Sequence, residues 1–278
     1  MPELPEVETV AGGLRDGGLV GQTIHTVTVR WPKTVAQPGV VSFRRGLIGR
    51  YVVSVGRRGK FLLLGLDNGR TLIIHLRMTG HLYFAPSGEP PHGHEHVVLG
   101  LEDGRQLRYR DTRKFGRWWL VSNPAKVIGH LGPEPLDSSF RAADFSRLLG
   151  QRRGMLKPLL LNQAFLAGLG NIYVDEALWD AGLHPERRAE TLTEEDRRRL
   201  YRTMRQALRR GLKSMGTTLG SGLTTFRSVW GRRGTNRAKL RVFRRTGHPC
   251  PRCGTTIERL VVGQRSTHIC SRCQTWDG

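Results

Sequence analysis

The chain has 278 residues, 38% hydrophobic and 24% charged, enough for two or three domains with buried cores. Lys and Arg number 45 against 23 Asp and Glu, a formal charge of +22 spread along the sequence. That balance favours a polyanion, nucleic acid first; the alternatives are a ribosome-associated protein, an anionic membrane surface or a solvated basic face. No apolar run reaches the about 18 residues a bilayer span needs. Glu3, Glu6 and Glu8 interrupt any signal-like start. The expectation is a cytoplasmic protein with no membrane partner.

The chain opens Met1-Pro2-Glu3-Leu4-Pro5-Glu6-Val7-Glu8-Thr9. Pro5 suits a first helical turn, and carboxylates there complement the macrodipole, so a helix is predicted to about Asp16. Removal of Met1 would leave Pro2 with a free secondary amine. An α-amine has an ordinary pKa of roughly 8, so a usable fraction is a neutral nucleophile near pH 7. A capped N-terminal helix is the plain alternative. Thr23–Trp31 alternates as a strand. Tyr51–Val55, Phe61–Leu66, Thr71–Leu76, His81–Phe84, Val97–Leu101, Gln106–Tyr109 and Arg117–Val121 follow as short strands, with hairpin signals at Asp67-Asn68-Gly69 and Glu102-Asp103-Gly104. Such spacing implies an antiparallel β-sandwich. A Pro/Gly-rich linker, Leu131–Leu136, ends this first domain. Helices are predicted at Ala142–Leu149, Pro158–Leu161, Tyr173–Ala181 and Glu194–Met215, the last capped by Thr193. Residues 216–236 read as a long loop. The expected domains are therefore 1–131, 132–236 and 237–278, in an α+β multidomain fold.

All four cysteines lie in the last thirty residues. Cys250 and Cys253, then Cys270 and Cys273, form two Cys-x-x-Cys knuckles separated by sixteen residues. Four thiolates make a closed tetrahedral zinc site, structural because no position is open to water; a redox dithiol and an iron–sulfur site are the alternatives. A hairpin between the pairs would present Gln264-Arg265-Ser266-Thr267 near its turn. In the helical part, Gly168, Gly170 and Asn171 would close one helix and open the next, exposing N–H groups that suit a phosphate. An ordinary helical junction fits equally. Taken singly, Lys60 reads as a surface charge and Met78 and Phe115 as core residues.

Together these stretches resemble the bacterial formamidopyrimidine-DNA glycosylases along essentially the whole chain. The resemblance rests on Pro2–Thr9, Arg57–Phe61, His75–Gly80, Asp111–Gly116, Leu161–Leu178 and the four-cysteine module, in that order. It implies an N-terminal helix with a β-sandwich, a helix–two-turn–helix domain with a lesion-capping loop, and a C-terminal zinc finger. Double-stranded DNA carrying oxidised purines or abasic sites would lie across the cleft, at the bacterial nucleoid; a monomer is the default expectation, because no coiled-coil repeat appears in the sequence. It also implies residue roles. Pro2 would attack C1′ of a flipped nucleotide and form an iminium, with Glu3 protonating or stabilising the ring oxygen. Lys60 and Arg265 would hold the flanking phosphates during β,δ-elimination. Met78, Arg113 and Phe115 would fill the vacated stack. His75, His94, Arg152 and Asn171 are further phosphate contacts, and Glu6 and Glu176 lesion contacts. One structural Zn2+ would sit on Cys250, Cys253, Cys270 and Cys273.

Two departures stand out. Arg152 replaces a common Lys, and residues 216–245 keep Gly216-Thr217-Thr218 without the family's usual Asp-Phe or Tyr-Phe pattern. The second leaves base preference open. A relative acting on oxidised pyrimidines, the endonuclease VIII branch, usually has Gly where Leu4 stands. A non-catalytic DNA-binding protein using the same wedge and finger is the remaining alternative.

Overall fold

The computed structural model describes residues 1–222 and 224–275. Position 223 of the expected capping loop and positions 276–278 of the expected finger domain lie outside the described residues. The chain forms two compact units. The first is Met1–His130 with Ser214–Arg237; the second is Leu131–Lys213 with the residues from Ala238 on. This grouping differs from the three expected domains. The loop joins the first unit because Thr217 N donates to the Glu6 carboxylate at 2.6 Å and Val229, 2% exposed, enters that unit's core. The cysteine module joins the helices because Trp179 packs with Val242, Ile257, Cys250 and Cys270.

The first unit starts with helix α1 (Leu4–Asp16), whose buried Leu4, Val7, Val10, Ala11 and Leu14 make one apolar stripe. Nine strands follow: β1 (Thr23–Val29), β2 (Val35–Gln37), β3 (Arg50–Arg58), β4 (Phe61–Leu66), β5 (Thr71–His75), β6 (His81–Pro86), β7 (Glu95–Leu101), β8 (Arg105–Arg110) and β9 (Arg117–Val121). They hydrogen-bond in the order β2-β9-β5-β4-β3-β1-β7-β8-β6. All neighbours are antiparallel except β2 and β9. β1 and β3 share only two residue pairs, Thr23 with Tyr51 and Ile24 with Arg50. The sheet is thereby pinched into halves of five and four strands. Leu62, Leu64, Leu72 and Trp118 from one half share a core with Val97, Leu99 and Leu107 from the other, which is how one ladder makes a sandwich. Helix α2 (Val40–Leu47) and the short α3 (Ala125–Ile128) were not foreseen. The N-cap of α2 is Gly39, with no capping side chain, and the helix buries only Phe43 and Leu47, so its sequence carries a weak signal.

The second unit holds α4 (Ala142–Gly150), α5 (Leu156–Leu161), α6 (Asn171–Ala181) and α7 (Glu194–Lys213), then the hairpin β10 (Glu258–Val262) and β11 (Arg265–Ile269). The N-terminus of α7 is closed as expected: Asp196 N donates to Thr193 Oγ1 at 3.1 Å, and Thr193 N to the Asp196 carboxylate at 3.2 Å. Nine of the eleven residues of α6 are buried, so it is the central helix of the unit. No helix among the described residues is long and apolar enough to cross a membrane.

Candidate active site and nucleic-acid interface

In the first unit, Met1 is exposed while Pro2 and Glu3 are buried at the start of α1. Glu3 N donates to Glu6 Oε2 at 2.9 Å, and Glu6 Oε1 takes the Thr217 N–H. One buried carboxylate therefore ties the N-terminal turn to the loop. Gly216 makes the approach possible: its φ is +81°, and a Cβ there would lie 2.9 Å from Glu6 Oε1. The next acid along, Glu8, accepts from Arg57 Nε at 3.0 Å and Arg15 Nη2 at 2.7 Å. It docks α1 on β3, close to the turn that carries Lys60. Lys60 itself is 4% exposed, in the turn between β3 and β4.

His75, at the end of β5, is buried edge-to-face against Phe61, ring centroids 4.6 Å apart. Its Nδ1 accepts the Arg77 N–H at 3.0 Å, so Nε2 carries the proton of the neutral ring. Burial first, then Arg77 and Lys60, push its pKa down to about 3. At neutral pH it is an uncharged hydrogen-bond donor.

Met78, Arg113 and Phe115 come together although two come from a different loop than the first. Arg113 Nη1 lies 2.9 Å from Met78 Sδ, and its guanidinium stands 4.7 Å over the Phe115 ring. Met78 is 43% and Phe115 46% exposed, so two apolar side chains flanking a cation face solvent. A buried carboxylate shapes both loops: Asp111 accepts from Thr79 Oγ1, Gly116 N (2.8 Å), Arg113 N (3.2 Å) and Tyr109 Oη (3.2 Å). A Cβ on Gly116 would collide with the Tyr109 hydroxyl. His94 is exposed with φ +68°, and its carbonyl accepts the Asp111 N–H at 2.9 Å. The strand behind it is pinned by Glu95, which binds Tyr83 Oη, Arg30 and Arg108.

In the second unit, Asn171 opens α6. Its Nδ2 donates to the Ser266 carbonyl at 2.8 Å, while its buried Oδ1 has no partner among the described residues. Ser266 follows Arg265, the exposed first residue of β11. Two residues that the sequence reading missed fix the same segment. Lys157 Nζ donates to Asp175 Oδ1 (2.5 Å), Ser266 O (3.0 Å) and Thr267 Oγ1 (2.8 Å), and Asp175 Oδ2 accepts from His268 N and Nδ1 at 3.0 Å. Both side chains are fully buried. The signal was a lysine and an aspartate inside apolar helical stretches, where burial demands a partner. Arg152 is exposed, its guanidinium 5.7 Å from the Phe165 ring centre. Glu176 is buried, and its oxygens accept the backbone N–H groups of Arg241, Val242 and Phe243 at 3.0 Å. Burial raises its pKa against the pull of those donors.

The four cysteine sulfurs lie within 4.8 Å of one another, with no disulfide. Sγ–Sγ separations are 3.4 Å for Cys253–Cys270 and Cys253–Cys273 and 3.9 Å for Cys250–Cys273. A tetrahedron with metal–sulfur bonds of about 2.3 Å has edges of about 3.8 Å, so the donor set fits a thiophilic metal.

Comparison with known proteins agrees with this geometry. Residues 1–118 match the formamidopyrimidine-DNA glycosylase N-terminal domain, 131–222 its H2TH domain, and 247–275 a zinc finger found in FPG and IleRS. The formamidopyrimidine-DNA glycosylase of Protochlamydia amoebophila is 48% identical over 257 residues, covering 92% of this chain and 93% of its own. That of Heliobacterium modesticaldum is 48% identical over 265 residues, covering 92% and 94%. Among solved structures, the Lactococcus lactis FPG (MutM) in complex with Fapy-dG-containing DNA superposes with a TM-score of 0.89 at 35% identity, covering 99% of this chain and all of that one. MutM in complex with carbocyclic 8-oxo-G DNA superposes with a TM-score of 0.90 at 36% identity and the same coverage. This chain belongs to the formamidopyrimidine-DNA glycosylase family.

Proposed function

We propose that the protein is a bifunctional base-excision repair enzyme, a DNA glycosylase and abasic-site lyase for oxidised purines. The observation that carries this reading is the exposed Met78–Arg113–Phe115 cluster, an apolar wedge around a cation, in a chain whose second residue is a proline backed by Glu3. A base inside a duplex is out of reach, and flipping it out leaves a gap that the wedge fills, with Arg113 facing the orphaned partner base. With Met1 removed, the Pro2 amine attacks C1′. The glycosidic bond breaks, the base leaves with its electron pair, and ring opening gives an iminium. Glu3 delivers the proton to the ring oxygen. Loss of a C2′ proton then expels the 3′ phosphate, and a second elimination expels the 5′ phosphate. Lys60 and Arg265 bind those phosphates, supported by His94, Arg152, Asn171 and the neutral His75. Glu6 and Glu176 act at the lesion pocket by fixing backbone, Glu6 at Thr217 and Glu176 at residues 241–243. Zn2+ on the four cysteines closes the finger and takes no part in the chemistry. The substrates are the Fapy-dG, 8-oxoguanine and abasic-site duplexes bound by the relatives. The enzyme acts as a monomer at the bacterial nucleoid.

Borohydride trapping on a duplex carrying 8-oxoguanine opposite cytosine, with peptide mapping, tests this. The expected adduct is on Pro2, and Pro2→Gly abolishes productive cleavage. An adduct formed only with oxidised pyrimidines would move the chain to endonuclease VIII-like specificity. Tight binding with no adduct on any lesion would leave a non-catalytic binder.

A further inference from the structure

A basic cleft at the far end of the first unit's strands plays no part in the chemistry above. β4 and β5 pair Phe61 with His75 and Gly65 with Thr71. Lys60 and His75 therefore lie at one end, and the turn at 67–70 lies at the other, about 13 Å away for four strand steps. β9 runs alongside, with Arg117 opposite His75 and Val121 opposite Thr71, so the wedge loop precedes β9 at the first end. At the second end is an open cleft of about 560 Å³, lined by Arg45, Arg50 and Arg70 with Ser42 and Asn68. A neighbouring cleft of about 260 Å³ shares Arg70 and continues to Asn123 and Lys126.

Guanidinium groups stay charged at any physiological pH. Four arginines of this unit are neutralised by carboxylates: Arg15 and Arg57 bind Glu8, and Arg30 and Arg108 bind Glu95. In the cleft only Arg50 has one, Asp67 at 3.6 Å. Arg45 and Arg70 have no ion-pair partner among the described residues. The Arg70 side chain is seated against the backbone of α2: a Cβ on Gly46 would lie 2.8 Å from its Nη1. Like charges held around one concavity focus a positive potential on whatever fills it.

We propose that this cleft is a second phosphate-binding surface, which takes the phosphodiester backbone of a nucleic-acid segment other than the one engaged at the lesion. Guanidinium forks match phosphate oxygens two at a time, and Ser42 and Asn68 supply neutral donors beside them. The cleft is open and runs on past Arg70 to Lys126, which suits a polymer of repeated charge better than an enclosed small anion. A protein holding a second segment passes between duplexes without full release. The inference rests on the DNA-binding part of the function above and on none of its lesion chemistry.

The test uses the whole protein saturated with a short duplex carrying a tetrahydrofuran abasic analogue. A labelled, unmodified second duplex is then titrated between about 50 and 200 mM salt. The wild type is expected to take the second duplex. Arg45→Ser/Arg70→Ser should weaken that step at least about tenfold and lower the salt slope by about two. Arg45→Lys/Arg70→Lys should fall between. Single-turnover cleavage of a lesion duplex should be unchanged in both, which also reports that they fold. A wild type that takes no second duplex, or serine variants that bind it as the wild type does, overturns the proposal. Pyrophosphate that displaces the second duplex supports a shared phosphate site. Pyrophosphate bound at Arg45 and Arg70 in a protein that takes no second duplex overturns the nucleic-acid assignment in favour of a small anion.

Discussion

Lys60 and Arg265 are assigned to the phosphates on either side of one nucleotide, yet different forces hold them. Lys60 sits on a hairpin of a nine-stranded sheet, above a core that includes Leu62, Leu64, Leu72 and Trp118. Arg265 starts the second strand of a two-stranded sheet, whose buried cluster is Trp179, Val242, Ile257 and two cysteines. Too little apolar area is buried there to fix a side chain, so a metal and a buried ion pair do it instead. The first cation is placed by hydrophobic packing and the second by coordination and charge. The two should therefore fail independently.

Removing the metal should separate them most sharply. Chelation, or Cys270→Ser, should abolish cleavage of a lesion duplex and unfold the hairpin at 258–269 while the first unit keeps its melting transition; hydrogen exchange resolved by segment reads both. Next comes Lys157→Met. It strands the fully buried Asp175 and should cost about 3–5 kcal/mol in the second unit, with exchange rising at 265–268 and little change around Lys60. Asp111→Ala reverses the experiment in the first unit. Four donors lose their acceptor, and a loss of about 2 kcal/mol or more is expected. Base flipping, followed by a fluorescent base opposite Arg113, should slow while the finger is untouched.

A further effect is in the pH dependence. His75 and His81 are held well below the ordinary 6.5, to about 3 and about 4, mainly by burial. Each folded pKa is depressed, so below pH 6.5 the unfolded chain binds a proton that the folded one refuses. The contribution of these two rings is fully present above 6.5 and is lost as pH drops toward 4 and then 3. His75→Gln should flatten that slope in urea melts.

Much of this was legible in the sequence. Phe61–Leu66 and Arg117–Val121 begin and end where their alternation and turns place them, because strand period and Gly-containing turns are local signals. The Thr193 cap and the two cysteine knuckles are local as well. What stayed hidden depends on distance in the chain. Lys157 meets Asp175 and Thr267 only after three elements have packed, and the neutrality of His75 follows from burial by residues it does not adjoin in sequence. The 216–236 stretch looked structureless because its anchors are elsewhere: Glu6 for Thr217, and Gly13, where a Cβ would lie 2.6 Å from Val229 Cγ2.

That last arrangement bears on how the protein is made. The first unit needs residues 214–237, which emerge from a ribosome only after all of 131–213. At about 5–20 residues per second, several seconds separate the last strand of the sheet from the segment that completes it. During that interval Glu6 lacks its Thr217 donor and the core lacks Val229. The N-terminal helix, which follows directly on Pro2 and Glu3, therefore reaches its final setting late in synthesis, after most of the helical unit has been translated.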